Sequence, residues 1–165
     1  MTAPTYFHIG VVVPDLDRAI EEFSRILGVT FTKPAWVTNP RLEDPEPHEQ
    51  VVHVAFSKEG PPYYELIEAH GDGIFSAEKE GQILYLGLWE PDMATRIKTL
   101  EAQGIGIDAA SRSAEGATPD WIITKPDLLG IRLEYVDVAE QEAIESWIET
   151  GEFPGLAPDP GKGER

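Results

Sequence analysis

The chain has 165 residues, with 30 Asp and Glu against 13 Lys and Arg, so its formal net charge at pH 7 is −17. Such acidity disfavours nucleic-acid and membrane-surface partners, because both carry negative charge. The chain has no cysteine, which excludes disulfide scaffolds, thiolate metal sites and cysteine nucleophiles. The length predicts one domain with its own core. Without a basic leader or an apolar run of about 18 residues, the sequence predicts a cytoplasmic protein.

The first half of the chain predicts a strand, a helix and three further strands. A β-branched run at 7–13 ends at Pro14, and Asp15 then stands where a helix N-cap belongs. Apolar side chains follow at helical spacing until Gly28, a suitable helix stop. Prolines and acids between residues 33 and 50 predict a long loop. The strands are therefore expected at 7–13, 29–32, 51–56 and 63–69, and the helix at 16–27.

The second half repeats this order, which indicates an internal duplication. His8 aligns with Tyr85 at an offset of 77 residues (85 − 8), and Asp15 aligns with Asp92 at the same offset. The repeat predicts strands at 83–89, 105–109, 121–124 and 131–136, and a helix at 92–103. Two βαβββ modules, about 6–69 and 82–137, are expected within one domain of residues 1–137. Residues 138–165 are predicted to form an amphipathic helix at 138–150 and a flexible tail.

Alternation along the strands predicts which side chains lie on each face of the sheet. The face toward the helices is expected to carry Phe7, Val52, Val54, Phe56, Leu84, Leu86 and Leu88. The opposite face, which is the inside of the sheet if it curves into a cup, carries His8, His53, Glu65, Tyr85 and Glu134. A histidine and two carboxylates buried together need a charge partner, and a divalent cation is the simplest one.

The sequence resembles the vicinal oxygen chelate superfamily, which includes the glyoxalase I, methylmalonyl-CoA epimerase, bleomycin-resistance and extradiol-dioxygenase families. The resemblance covers about residues 6–137. It rests on FHIGVVVPDLDRAIEEFSRILG, YYELIEA, the second start ILYLGLWEPD, and IRLEYVD. It implies an α+β fold in which two βαβββ modules form a cupped mixed sheet with the helices outside, followed here by a C-terminal helix. It also implies a homodimer, because such modules commonly dimerise in this superfamily.

The same resemblance assigns metal-ligand positions. The first-strand ligand corresponds to His8, and the ligands that end the two modules correspond to Glu65 and Glu134. The fourth position, usually His, holds Tyr85, whose phenol is a poor ligand at pH 7. Tyr85 is left with four readings: a phenolate ligand, a hydrogen-bond donor to metal-bound water, an acid/base, or a sign that metal binding has been lost. The donor set suits a divalent ion, with Mn, Fe, Co, Ni and Zn as candidates.

The resemblance implies an enzyme that binds a small-molecule substrate. The first hypothesis is a metal-dependent lyase or isomerase of the glyoxalase or epimerase type, which acts on a small carbonyl or vicinal-oxygen substrate through an enolate-like intermediate. The candidate catalytic residues are Glu134 as base, with Glu65 as its alternative, Tyr85 and His53. The candidate substrate-pocket residues are Tyr63, Trp36, Trp89, Trp121 and Arg132.

Two other functions stay open at this stage. A metal-free cup that sequesters a small, aromatic molecule is the first alternative, and Tyr85 favours it. An iron-dependent extradiol-type dioxygenase is the second, although it usually needs two histidines and one carboxylate. Because Tyr85 holds the usual position of the second histidine, only His53, from a different strand, could supply it.

Overall fold

The computed structural model describes residues 4–155, which form eight strands and three α-helices. The strands close into a barrel in the order β1-β4-β3-β2-β6-β7-β8-β5. In chain order the elements are β1 (His8–Val13), α1 (Leu16–Leu27), β2 (Ala35–Glu43), β3 (Pro47–Phe56), β4 (Tyr63–Glu68), β5 (Ile83–Glu90), α2 (Met93–Ala102), β6 (Ile107–Arg112), β7 (Trp121–Thr124), β8 (Leu133–Asp137) and α3 (Gln141–Thr150).

The barrel consists of two similar halves, which confirms the predicted repeat and the α+β fold of two βαβββ modules. In each half the first strand lies parallel to the last one, β1 beside β4 and β5 beside β8. The halves meet along two antiparallel seams, between β1 and β5 and between β2 and β6. The predicted assignment of residues 1–137 to one domain remains a prediction.

The helix boundaries follow the predicted capping residues. The Asp15 side chain accepts a hydrogen bond from the backbone N–H of Arg18, and Asp92 does the same for Thr95. Gly28 ends α1 at a φ of 71°, where a side chain would be strained, and its N–H bonds the Ser24 carbonyl. Local sequence therefore determines where both module helices begin.

The long loop predicted at residues 33–50 is wrong. This segment forms β2 and the start of β3, which pair as an antiparallel hairpin. Pro40 lies where the β2–β3 register shifts, between Asn39 and Leu42, and a proline is tolerated there because its missing N–H interrupts no ladder bond. The strand predicted at 29–32 is also wrong, since Phe31 makes only an isolated bridge with Ser57.

Two predicted strand faces need correction. Val54 and Phe56 were expected under the helices but belong to the apolar cluster inside the barrel, whereas the small Ala55 between them packs beneath α1. Leu84 also lies in the interior cluster, because the β1–β5 register shifts beside Gly10. Because Val54 and Phe56 on β3 point into the barrel, the alternating position of His53 lies on the outer face.

The C-terminal helix α3 packs against the barrel. A short 3₁₀ turn, Val138–Glu140, precedes it, so the helix predicted at 138–150 is confirmed apart from its first turn. Trp147 and Ile148 are buried in the interior cluster with side chains of β3 and β5. Because α3 is not a barrel strand, it reaches this interior from an end of the barrel. The flexible tail was predicted from residue 151 onward. Of its described part, Phe153 packs against Trp147 with ring centroids 4.6 Å apart. Residues 156–165 lie outside the described residues.

No helix within residues 4–155 is both long and apolar enough to cross a membrane. The cytoplasmic location and the homodimer remain predictions.

Candidate metal centre

Three polar side chains converge inside the barrel from three strands. His8 extends from β1, Glu65 from the adjacent β4, and Glu134 from β8. The His8 Nε2 atom lies 2.6 Å from Glu134 Oε2 and 3.1 Å from Glu65 Oε2. His8 and Glu134 are buried, and Glu65 is largely so. The predicted ligand set therefore comes together, although the three residues are far apart in the sequence.

Two glycines leave room for this cluster. A Cβ atom at Gly87 would overlap the His8 ring, and a Cβ atom at Gly10 would overlap the Tyr85 ring. Both overlaps would be with rings held by packing, so neither is easily relieved. The cross-strand pairing explains the first, because His8 lies directly opposite Gly87 on β5. No sequence pattern indicated a role for these two glycines.

Tyr85 completes the cluster as a donor. Its hydroxyl donates a 2.6 Å hydrogen bond to Glu65 Oε2. Burial, followed by the negative charges of Glu134 and Glu65, raises the pKa of the Tyr85 phenol well above its usual value of 10.0. The phenol is therefore neutral near pH 7, and this geometry favours a donor to Glu65 over a phenolate ligand.

The cluster has a strong affinity for protons. Burial alone would lower the pKa of His8, but attraction to Glu134 and hydrogen bonds to both carboxylates outweigh it and raise the pKa to about 9. Burial raises the pKa of Glu134 to about 7, an effect that His8 opposes and Glu65 reinforces. The second ring nitrogen of His8, Nδ1, is buried and has no hydrogen-bond partner among the described residues.

The metal-free protein is expected to lose stability as the pH rises from 6.5 to 9. The folded-state pKa of His8 lies above the unfolded value of 6.5, so its contribution is fully present below pH 6.5 and is lost as the pH passes through about 9. The raised pKa of Glu134 acts in the same direction between 4.5 and about 7. Urea unfolding of metal-stripped protein at both pH values measures the change. His8→Gln removes the His8 titration and should flatten the dependence; a wild-type midpoint that does not fall relative to this variant would contradict the expectation.

A cavity of about 190 Å³ begins at this cluster. The four cluster residues form one part of its wall, and the rest is mainly aromatic and aliphatic. Asn39 and Ser111, joined by a 3.2 Å hydrogen bond, add a polar pair. The main aromatic side chains of the wall are Phe56, Phe75, Trp121, Trp147 and Phe153.

A match to a family model identifies the superfamily of the chain. Residues 7–124, more than half of it, match the model of the Glyoxalase/Bleomycin resistance protein/Dioxygenase superfamily. The chain belongs to this superfamily. No protein of curated function matches it in sequence.

Solved structures with this superfamily fold resemble the chain at low sequence identity. Methylmalonyl-CoA epimerase from Mycobacterium tuberculosis has a TM-score of 0.55 at 19% identity, covering 83% of this chain and 92% of its own. A Streptomyces coelicolor methylmalonyl-CoA epimerase variant bound to 2-nitronate-propionyl-CoA has a TM-score of 0.57 at 17% identity, covering 82% and 95%. A hypothetical protein from Bacillus halodurans has a TM-score of 0.54 at 14% identity, covering 82% and 95%. At these identities the likeness shows the fold alone.

The donor geometry of this superfamily member fits a divalent ion. One ligand atom from each of His8, Glu65 and Glu134 lies within 4.8 Å of the others. Adjacent donors around a six-coordinate ion with bonds of about 2.1 Å are about 3 Å apart. The His8–Glu65 distance already matches this spacing, and the shorter His8–Glu134 contact would have to open slightly. One imidazole and two carboxylates are donors that Mn, Fe, Co, Ni and Zn accept.

The structure brings few of the predicted pocket residues to this cavity. Trp121 lines it, but Trp36 stacks on His53 at a centroid distance of 4.2 Å and neither of these two reaches it. His53 instead lies 3.8 Å from Glu68, so it does not join the cluster as a candidate catalytic residue. Arg132 pairs with Asp108 at 3.1 Å. Tyr63 and Trp89 line a separate cleft of about 250 Å³, where Trp89 stacks on Phe7.

Several cavity residues were missed by the sequence reasoning. Asn39 lies in the segment predicted to be a loop, and Ser111 lies beyond the predicted end of its strand. Trp147 lies in the C-terminal helix that the sequence predicted only as amphipathic, with no packing partner assigned. One sequence feature could have identified Trp147: it is a large aromatic residue in a helix that directly follows the second module.

Proposed function

We propose that this chain is a metal-dependent isomerase or lyase that acts on a small carbonyl or vicinal-oxygen substrate. The convergence of His8, Glu65 and Glu134 beside a cavity is the observation that carries the proposal. Superfamily membership supports it, and fold neighbours that are epimerases agree with it.

The proposed roles follow from the positions of the side chains. His8, Glu65 and Glu134 would hold the ion. A bound divalent ion would supply Lewis-acid stabilisation of negative charge on adjacent substrate oxygens. Glu134, or Glu65 as the alternative, would take a proton from the carbon next to the carbonyl, because both carboxylates line the cavity. Tyr85 would orient Glu65 through its hydrogen bond.

Solvent deuterium exchange tests this function. Metal-loaded protein in D₂O is expected to exchange the α-hydrogens of small 2-hydroxyketones or 2-ketoacids, as read by proton NMR, and Glu134→Gln should lose this exchange. Removal of the ion with EDTA should abolish it. A metal-loaded protein that exchanges none of these compounds faster than the free ion would contradict the proposal.

A metal-free binding protein is the second candidate. The direct contact between His8 and Glu134, together with the Tyr85–Glu65 hydrogen bond, favours it because the polar groups partly satisfy one another without an ion. Ligand affinity that EDTA leaves unchanged would support this candidate. The dioxygenase alternative is weaker than both, because the cluster contains one histidine and His53 lies outside it.

Replacing Tyr85 with phenylalanine is expected to lower the affinity for divalent ions by about 10- to 100-fold and no more, because a neutral phenol that bonds Glu65 orients a ligand rather than acting as one. Calorimetric titration of both proteins with Mn²⁺ or Zn²⁺ measures the difference. Tyr63→Phe, outside the cavity, is the matched control. A loss well above a hundredfold would identify Tyr85 as a ligand itself.

A further inference from the structure

A polar pair interrupts the mainly apolar wall of the cavity. Asn39 on β2 and Ser111 on β6 both line the cavity, and they are 5% and 2% exposed. The Ser111 hydroxyl donates the 3.2 Å hydrogen bond between them to the Asn39 Oδ1 atom. Burying polar side chains is costly unless their hydrogen-bonding groups are used, so a pair at this place indicates a ligand that uses the remaining groups.

Two strands direct these side chains into the barrel. Val37 precedes Asn39 by two residues on β2 and packs against the interior cluster, so strand alternation places both on the inner face. On β6, Ala109 belongs to the same cluster, and Ser111 follows it by two residues. The hydrogen bond between Asn39 and Ser111, across the β2–β6 seam, agrees with this orientation.

The amide nitrogen of Asn39 remains available to a ligand. Within the described part of the chain it makes no hydrogen bond, since only the amide oxygen contacts Ser111. The side-chain atoms there that are both sealed and without a partner are His8 Nδ1, Asp44 Oδ1 and Trp147 Nε1. The Asn39 nitrogen is therefore not sealed, and because its side chain points into the barrel, its accessible surface faces the cavity. A ligand oxygen can accept from this nitrogen.

The pair lies across the barrel from the candidate metal ligands. In the closed strand order, two strands separate the β2–β6 seam from the β1–β5 seam on either side. His8 and Tyr85 are on β1 and β5, and Glu65 and Glu134 are on the strands beside them. One molecule in the cavity can therefore contact the metal ligands and the pair at opposite ends. Since no Lys or Arg is among the described residues that line the cavity, an uncharged oxygen suits the pair better than a carboxylate.

We infer that Asn39 and Ser111 form a second polar subsite of the cavity, which binds an uncharged hydroxyl or carbonyl oxygen at the end of the ligand away from the metal ligands. The Asn39 amide donates to this oxygen, and Ser111 holds the amide in that orientation. The position of the oxygen relative to a metal rests on the proposed function. The hydrogen bond itself goes beyond it, because the pair binds such an oxygen in the metal-free protein as well.

Benzyl alcohol and toluene are suitable probes, because they differ by one hydroxyl group on the same small aromatic body. The full chain is kept in EDTA, so that no metal competes for the hydroxyl. Asn39 is the only asparagine of the chain, so asparagine labelled with ¹⁵N in its side-chain amide gives one pair of amide proton signals. Titrations followed by proton NMR of each probe give the affinities for wild type, Asn39→Leu and Ser111→Ala. Gln50→Leu is the control, because Gln50 pairs with Asn39 on β3 but is not among the residues that line the cavity.

Benzyl alcohol is expected to move the Asn39 amide proton signals downfield, as a hydrogen bond does, and toluene is not. The preference for benzyl alcohol over toluene should fall about fivefold in Asn39→Leu and by a smaller factor in Ser111→Ala, and should stay within twofold in Gln50→Leu. Benzoate should bind more weakly than benzyl alcohol.

Absence of benzyl alcohol binding, no downfield movement of the amide signals in wild type, or a preference that either cavity variant leaves unchanged would each overturn the inference. Tighter binding of benzoate would overturn the assignment of an uncharged oxygen. None of these results concerns metal binding, so the proposed function would stand. Failure of the chain to bind any divalent ion would instead contradict the proposed function and leave the subsite in place.

Discussion

Glu134→Gln is expected to lower the affinity for a divalent ion by at least about a hundredfold, since changes one shell further from a metal already cost about 10- to 100-fold. The substitution removes a charged donor that lies 2.6 Å from His8 Nε2. The fold should survive, because the amide has almost the same shape and its oxygen still accepts from His8. Calorimetric titration with Mn²⁺ and Zn²⁺ measures the loss, and circular dichroism checks the fold.

Glu68→Gln provides the matched control for this change. Glu68 lies at the end of β4, the strand that carries Glu65, but its carboxylate accepts from the backbone N–H of Leu16 rather than joining the cluster. Its replacement should leave the metal affinity within about threefold. Equal metal affinity in wild type and Glu134→Gln would remove Glu134 from the ligand set.

Gly87→Ala is expected to lower the free energy of unfolding by roughly 3 kcal/mol or more, at the upper end of overpacking costs, or to displace the His8 ring. The new methyl group would occupy the space of that ring, which is fully buried and contacts Phe7, Phe56 and Tyr85. A displaced His8 ring would weaken metal binding, whereas a weakened fold that keeps the ring in place would not. Urea unfolding and metal titration, done on the same preparation, distinguish a weakened fold from a displaced ligand.

Gly106→Ala is the control for a glycine substitution that the surroundings can absorb. Its added Cβ would meet only the flexible side chain of Lys125, so a cost below about 1 kcal/mol is expected. A Gly87→Ala protein as stable as Gly106→Ala, with wild-type metal affinity, would contradict the packing described around His8.

The shared face of His8, Glu65 and Glu134 could be predicted from the sequence because they lie on strands with regular alternation, and the family resemblance then assigned them as metal ligands. His8 and Glu65 alternate with side chains that pack beneath α1, such as Val11 and Leu66. The internal repeat then carries the same pattern to Glu134 on β8. Periodicity and duplication are visible in the sequence itself, so they can be recognised without knowledge of the barrel.

The face of β3 could not be predicted in the same way. Val54 and Phe56 are large and apolar, which is typical of residues under a helix, but here they fill the inside of the barrel while Ala55 contacts α1. The size of a side chain does not reveal which of two buried faces it occupies. His53, between these residues, was therefore assigned to the wrong side.

The wall of the cavity depended on contacts between distant parts of the chain. Asn39 and Ser111 meet where the two halves join, across the β2–β6 seam, and Trp147 comes from a helix outside both modules. No periodicity links these residues. Of the aromatic residues predicted for the pocket, only Trp121 lines this cavity.

Metal content is the measurement that tests the central claim most directly. The chain is stripped of metal, refilled separately with Mn, Fe, Co, Ni and Zn, and assayed by elemental analysis beside His8→Ala. The account predicts about one ion per wild-type chain for at least one metal, and none in the variant, because His8 supplies the nitrogen donor. Wild-type protein that holds none of these metals stoichiometrically would contradict it.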